Sequence, residues 1–176
     1  DWRDIPTVLT RAFKSLDLSV FLETDRETLF RSSGTTQVDR SRHFHCAETL
    51  AVYHNSLWPW FAGHLVDKSA NRLLFLFPKL GLAPESSLVN MMDTVAKRLT
   101  NREHCFATDG QWRIDGKAAV DFLHDCAMQN EPVTILGTAF SFVHLLDHLD
   151  ANAMDFQLPS GSAVMETGGY KGRSRD

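Results

Sequence analysis

Apolar residues along the chain fall into two kinds of run. Short unbroken ones, at residues 73–77, 105–107, 133–136 and 163–166, have strand length and are rich in aliphatic and aromatic side chains. Longer ones repeat at steps of three and four. Over residues 86–99 the series Leu88, Met91, Met92, Val95 and Leu99 makes one helical stripe, with Ser86 or Ser87 as N-cap. Residues 117–128 repeat the spacing through Val120, Leu123, Cys126 and Ala127, and residues 139–149 through Phe142, Val143, Leu146 and Leu149. A further helix is expected over 47–57, with Pro59 forcing a kink or a fresh start. Earlier, residues 20–23 and 28–31 flank a polar Thr24-Asp25-Arg26 and read as a hairpin or two adjacent strands. Strands alternating with helices, and apolar throughout, predict an α/β fold with a mostly parallel sheet and helices on both faces.

Composition narrows the function classes. The 176 residues are 43% hydrophobic and 23% charged, close to the globular average, which excludes wholesale disorder. A net charge of −4 argues against a general binder of nucleic acid or anionic membrane. No apolar run has the length of a membrane span. Cys46, Cys105 and Cys126 are odd in number and far apart, so neither a disulfide framework nor a zinc site is suggested, and a cytoplasmic protein is expected. The opening Asp1-Trp2-Arg3-Asp4 is charged and lacks Met, so no signal peptide is expected. With its polar ending, the chain reads as a segment of something longer; no linker divides residues 1–176.

Two polar runs carry candidate chemistry. Ser32-Ser33-Gly34-Thr35-Thr36 offers hydroxyls, a glycine and backbone N–H groups that can wrap a polyphosphate, with Arg31, Arg40, Arg42 and His43 nearby. It is not a Walker loop, since no Lys-Ser/Thr follows at the required distance. The second run, Glu166-Thr167-Gly168-Gly169-Tyr170-Lys171, continues through Arg173 and leaves a predicted strand at its carboxyl end, where ligands of open α/β sheets bind. Gly137-Thr138 sits at another strand-to-helix switch and can face the same crevice.

Other residues weigh less. Cys46, at a helix start just after His43-Phe44-His45, invites a nucleophile reading, against which stands the commoner role of a lone cysteine as a small hydrophobe. His43-x-His45 is weighed as a metal pair, but no carboxylate or thiol apart from Cys46 completes it. His144 and His148 share a helix face with Asp147 and Asp150 nearby, a pattern that a polar helix face explains better, and no metal site is assigned. Trp58-Pro59-Trp60-Phe61 fits core packing better than an acyl channel wall.

The residues resemble a known family. Ser-Ser-Gly-Thr-Thr at 32–36 is similar to the phosphate loop of the adenylate-forming enzymes. The wider set looks like the LuxE-type acyl-protein synthetases: Phe13-Lys14-Ser15, Ser41-Arg42-His43, Ser86-Ser87-Leu88, Gly137-Thr138-Ala139-Phe140 and the string from Glu166 to Arg175. The resemblance covers nearly the whole chain and implies part of the large N-terminal domain of such an enzyme. The implied reaction is ATP-dependent activation of a long-chain fatty acid as acyl-adenylate. The acyl group then passes to a protein cysteine and on to a reductase partner, the aldehyde supply of bioluminescence-type systems. It implies phosphate contacts by Ser32, Ser33, Gly34, Thr35 and Thr36 with Arg42 and His43 beside them. It also implies a nucleotide or acyl pocket near Gly137, Thr138, Glu166, Thr167, Gly168, Gly169, Tyr170, Lys171 and Arg173, and Mg²⁺ bound with the ATP.

The chain departs from that pattern in two respects. Gln37 stands where the family loop usually continues with Gly. The later superfamily motifs, the small lid domain with its lysine and the acceptor cysteine are all expected outside this segment. A phenylacetate-type coenzyme A ligase is the rival among enzymes, and a non-catalytic nucleotide-binding module, towards which Gln37 leans, is the rival outside them.

Overall fold

The computed structural model describes residues 2–32, 40–66 and 72–168. The first elements are a 3-10 turn at Trp2–Asp4, the single-turn helix α1 (Ala12–Ser15) and a second 3-10 turn at Glu23–Asp25. Residues 20–23 are therefore not a strand. β1 (Thr28–Arg31) pairs antiparallel with β2 (Arg42–His45), placing Phe30 opposite His43 and Arg31 opposite Arg42. Its partner lies beyond the serine-rich run, and local turn chemistry carries no signal of a pairing that distant.

α2 (Ala47–Leu65) continues through Pro59 without a break. The proline removes one donor, so the Asn55 carbonyl loses its partner one turn on. Asn55 and Pro59 are both exposed, and solvent meets that loss. The expected boundary near residue 57 thus falls eight residues later, at Leu65.

The remaining elements alternate as expected: β3 (Arg72–Pro78), α3 (Ser87–Arg98), β4 (Glu103–Thr108), α4 (Gly116–Gln129), β5 (Val133–Gly137), α5 (Ala139–Ala151) and β6 (Ala163–Glu166). Each of the three later helices starts at a side-chain cap. Ser86 accepts from the Val89 N–H, Asp115 from Ala118 and Thr138 from Ser141. Asn130, left-handed at φ 54°, ends α4.

β3, β4, β5 and β6 form one parallel sheet in the order β4-β3-β5-β6. All seven residues of β3 are buried, because it has a strand on each side and helices on each face. Leu73, Phe75 and Phe77 meet Phe61 of α2 and Met92 and Val95 of α3. Leu74 and Leu76 point the other way, towards Ala119, Leu123 and Cys126 of α4 and Leu145 of α5. Each such side chain contributes about 1.5–3 kcal/mol relative to exposure, so this strand anchors both layers. Among the described residues, no helix is long and apolar enough to cross a membrane.

At the amino end of the sheet, Arg72 is buried among three carboxylates. Its guanidinium meets Asp125 at 2.7 Å, Glu103 at 2.5 Å and Glu131 at 2.8 Å. Burial pulls its pKa down, but hydrogen bonds to Asp125, Cys126 and Glu103 outweigh this and hold it above the ordinary arginine value. The cluster ties together β3, β4, α4 and the turn before β5.

Candidate functional site at the carboxyl edge

The strand order fixes where a ligand fits. From β3 the chain goes to β4 on one side, then crosses to β5 on the other. Loops leaving the carboxyl ends of β3 and β5 therefore diverge, the place at which open α/β sheets hold ligands. Register places Leu76 beside Gly137, and Gly137 beside Glu166. The Thr167 N–H donates to the Gly137 carbonyl at 2.9 Å, extending that pairing past β6. Gly137, Thr138, Glu166, Thr167 and Gly168 thus share one edge.

Local chemistry explains several of these positions. A Cβ on Gly137 would lie 2.9 Å from the Phe142 ring and 3.1 Å from Leu76, so only glycine lets α5 close onto the sheet. Gly168 has φ +81° with open space around it, a turn requirement rather than a packing one. Thr138 is committed to capping: its Oγ1 accepts from the Ser141 N–H at 3.1 Å and contacts the Ser141 hydroxyl at 2.8 Å. Glu166 is exposed.

The hairpin brings the base of the serine-rich run to the same edge. Arg31 donates its N–H to the Glu85 carbonyl at 2.9 Å, and its side chain pairs with the Glu85 carboxylate at 2.8 Å. Glu85 lies in the loop that leaves β3 and enters α3. Ser32 closes the neck of the run: its N–H donates to the Ser41 carbonyl, and its Oγ accepts from the Ser41 N–H at 2.9 Å. Arg40 Nε donates to the Ser32 carbonyl at 2.6 Å. The Ser32 hydroxyl keeps its own proton to donate elsewhere.

The nearby cations are less available than the sequence suggests. Arg31 is paired with Glu85, and Arg42 meets Asp17 at 2.8 Å. His43 stacks on Phe13, with ring centroids 5.4 Å apart. Ser33, Gly34, Thr35, Thr36 and Gln37, and likewise Gly169, Tyr170, Lys171 and Arg173, lie outside the described residues.

Cys46 caps α2, and hydrogen bonding to its sulfur, led by the Thr49 backbone N–H, lowers its thiol pKa. Burial instead raises Cys105 and Cys126. His144 sets its ring edge-on to Phe140, while the His148 ring fills the space over Gly116. Among the described residues, no group of three His, Cys, Asp or Glu is placed to hold a metal. Trp58 stacks on Phe61 against the core; Trp60 stands exposed and stacked on His64.

Two features had no motif to announce them. Arg72 is an arginine opening an otherwise apolar strand, a position whose burial only the sheet order reveals. The other is an open groove along the outer edge of β4, lined by Lys79, Leu80, Asp93, His104, Cys105 and Phe106, which contains none of the candidate residues. Comparison with family models, curated proteins and solved structures finds no match for this chain.

Proposed function

We propose that this chain is part of an ATP-dependent carboxylate-adenylating domain, acting on a long-chain fatty acid and resembling the acyl-protein synthetases. The observation that carries the reading is the double attachment of Arg31 to Glu85. It holds the base of the Ser-Ser-Gly-Thr-Thr run against the loop leaving β3, on the edge where Gly137, Glu166 and Gly168 emerge. A polar run anchored at its base towards the carboxyl end of a parallel sheet that also presents glycine-bearing strand ends supports a nucleotide reading.

A fatty acid is a poor acyl donor until one carboxyl oxygen becomes a good leaving group. Attack of that carboxylate on the α-phosphorus of ATP forms the acyl–phosphate bond and breaks the bond to pyrophosphate. The domain must then hold the carboxylate in line and spread the phosphate charge. Hydroxyl and N–H donors of the serine-rich run suit the β- and γ-phosphates, and the Ser32 hydroxyl, which accepts from the Ser41 N–H, has a proton of its own to offer. Mg²⁺ bound with the triphosphate would offset its charge. Transfer of the acyl group to a protein cysteine follows in this reading, and a cytoplasmic setting suits the free thiols.

The test is ATP–pyrophosphate exchange by the intact parent protein, with and without tetradecanoic acid. Acid-dependent exchange that Thr35→Ala and Thr36→Ala abolish is the expected result. An acyl group recovered on protein distinguishes thioester transfer from a coenzyme A product. ATP binding without exchange, across short, aromatic and long-chain acids, would leave a nucleotide-binding module.

A further inference from the structure

The hairpin of β1 and β2 rests on the helices through a small aromatic cluster rich in histidine. Phe30 is buried and packs its ring 5.0 Å from His45 and 5.7 Å from Tyr53. The Tyr53 hydroxyl donates to the Ser87 carbonyl at 2.9 Å, joining α2 to α3. His54, against Tyr53, meets Asn90 Oδ1 with Nε2 at 2.7 Å. His43 and His45 are two apart on an extended strand and so share a face.

Among the described residues, the groups around His45 offer it no counter-charge. From its own strand it faces His43, from β1 the Phe30 ring, and from α2 Tyr53 and His54. Glu27 gives its N–H to the His45 carbonyl, and Glu48 opens α2, but neither carboxylate bonds the ring. Arg42 beside it is paired with Asp17, and Arg31 with Glu85. Among the described residues, Nδ1 of His45 is buried with no hydrogen-bond partner. As an acceptor lone pair it tolerates that position; as the N–H of an imidazolium it would be a buried donor without an acceptor.

We propose that His45, with His43 and His54, makes docking of the β1–β2 hairpin sensitive to acid, so that protonation releases the hairpin while the parallel sheet stays folded. Burial, then His43 and His54, lower the His45 pKa below its usual 6.5. The sign follows: the docked state prefers the neutral ring, so docking is intact above pH 6.5 and is lost as pH falls through the lowered value. The inference goes beyond the nucleotide reading, because hairpin docking is read without any ligand.

The test is amide hydrogen exchange on the intact protein at pH 7.5 and 5.0, corrected for the intrinsic rate. Amides of β1 and β2 should lose protection at the lower pH, while those of β3 and β5 keep theirs. His45→Phe should remove that difference, and His54→Gln should shrink it. Should His45→Phe fold poorly, the His45 ring is titrated by NMR in the natural protein. A midpoint at or above 6.5, equal loss across hairpin and sheet, or an unchanged pH response in His45→Phe would overturn the proposal.

Discussion

Arg31 and Glu85 hold each other twice, through the Arg31 N–H on the Glu85 carbonyl and through guanidinium on carboxylate at 2.8 Å. One half of that attachment is backbone and one half is side chain, so substitution can remove them separately.

Glu85→Gln should spare the backbone bond and lose the ion pair. Both side chains are partly exposed, so the global cost should be about 0.5 kcal/mol and the melting temperature should move by less than about 2 °C. The local effect should be larger: exchange at the Ser32 and Ser41 amides should quicken by roughly threefold to tenfold. A fall in melting temperature beyond about 5 °C would assign the pair a global role instead.

Arg72→Met acts at the opposite end of the sheet. It leaves Glu103, Asp125 and Glu131 facing one another without a cation. The carboxylates stay half-exposed, so the cost in urea unfolding should be about 2 kcal/mol, under the roughly 3–5 kcal/mol of a fully buried pair. The hydrogen bond from Arg72 also lowers the Asp125 pKa. Stability from this group is present above the unfolded carboxylate value and is lost as pH falls through the lowered one. Natural protein should therefore lose stability in acid below about pH 4, and Arg72→Met should lose less over that window. Parallel acid curves for the two proteins would count against this account.

Gly137→Ala should destabilise by about 1–3 kcal/mol, since its new methyl meets the Phe142 ring and buried Leu76 inside normal contact distance. Equilibrium urea titration measures it. Adding Phe142→Leu should recover part of the loss, because it removes the nearer ring. No recovery would place the strain at Leu76.

The three thiols should alkylate in a set order. At pH 7.5 iodoacetamide should modify Cys46 first, because its thiolate is favoured and half-exposed, with Cys105 slower and buried Cys126 slowest. Peptide mass mapping over time reads the order. Thr49→Val, which removes the hydroxyl beside the sulfur, should slow Cys46, and an unchanged rate would discount that hydroxyl.

Legibility in the sequence followed the range of the interactions. Val133–Gly137 and Ala163–Glu166 were readable because burial on both sides, or at an edge, writes itself into consecutive residues. Ser86 marked the start of α3 because a cap acts within three residues. Pro59 misled, because what decides its cost is whether the orphaned Asn55 carbonyl faces water, a property of the docked helix. The partner of β1 misled for a related reason, since Thr28 pairs with His45 across the whole serine-rich run. At the candidate site, residue types marked Gly137, Glu166 and Gly168. The carboxylates that occupy Arg31 and Arg42 come from Glu85 and Asp17, which no motif places beside them.

β3 leaves a changed side chain nowhere to relax: each of its seven residues is enclosed by strands in the plane and helices above and below. A sequence drifting by random substitution has its least freedom there. Val20 and Leu22, whose side chains stand in water, lie at the other extreme. A library randomised across the chain and selected only for folding should return apolar residues of similar volume at 73–77, and should scramble positions 20 and 22 first.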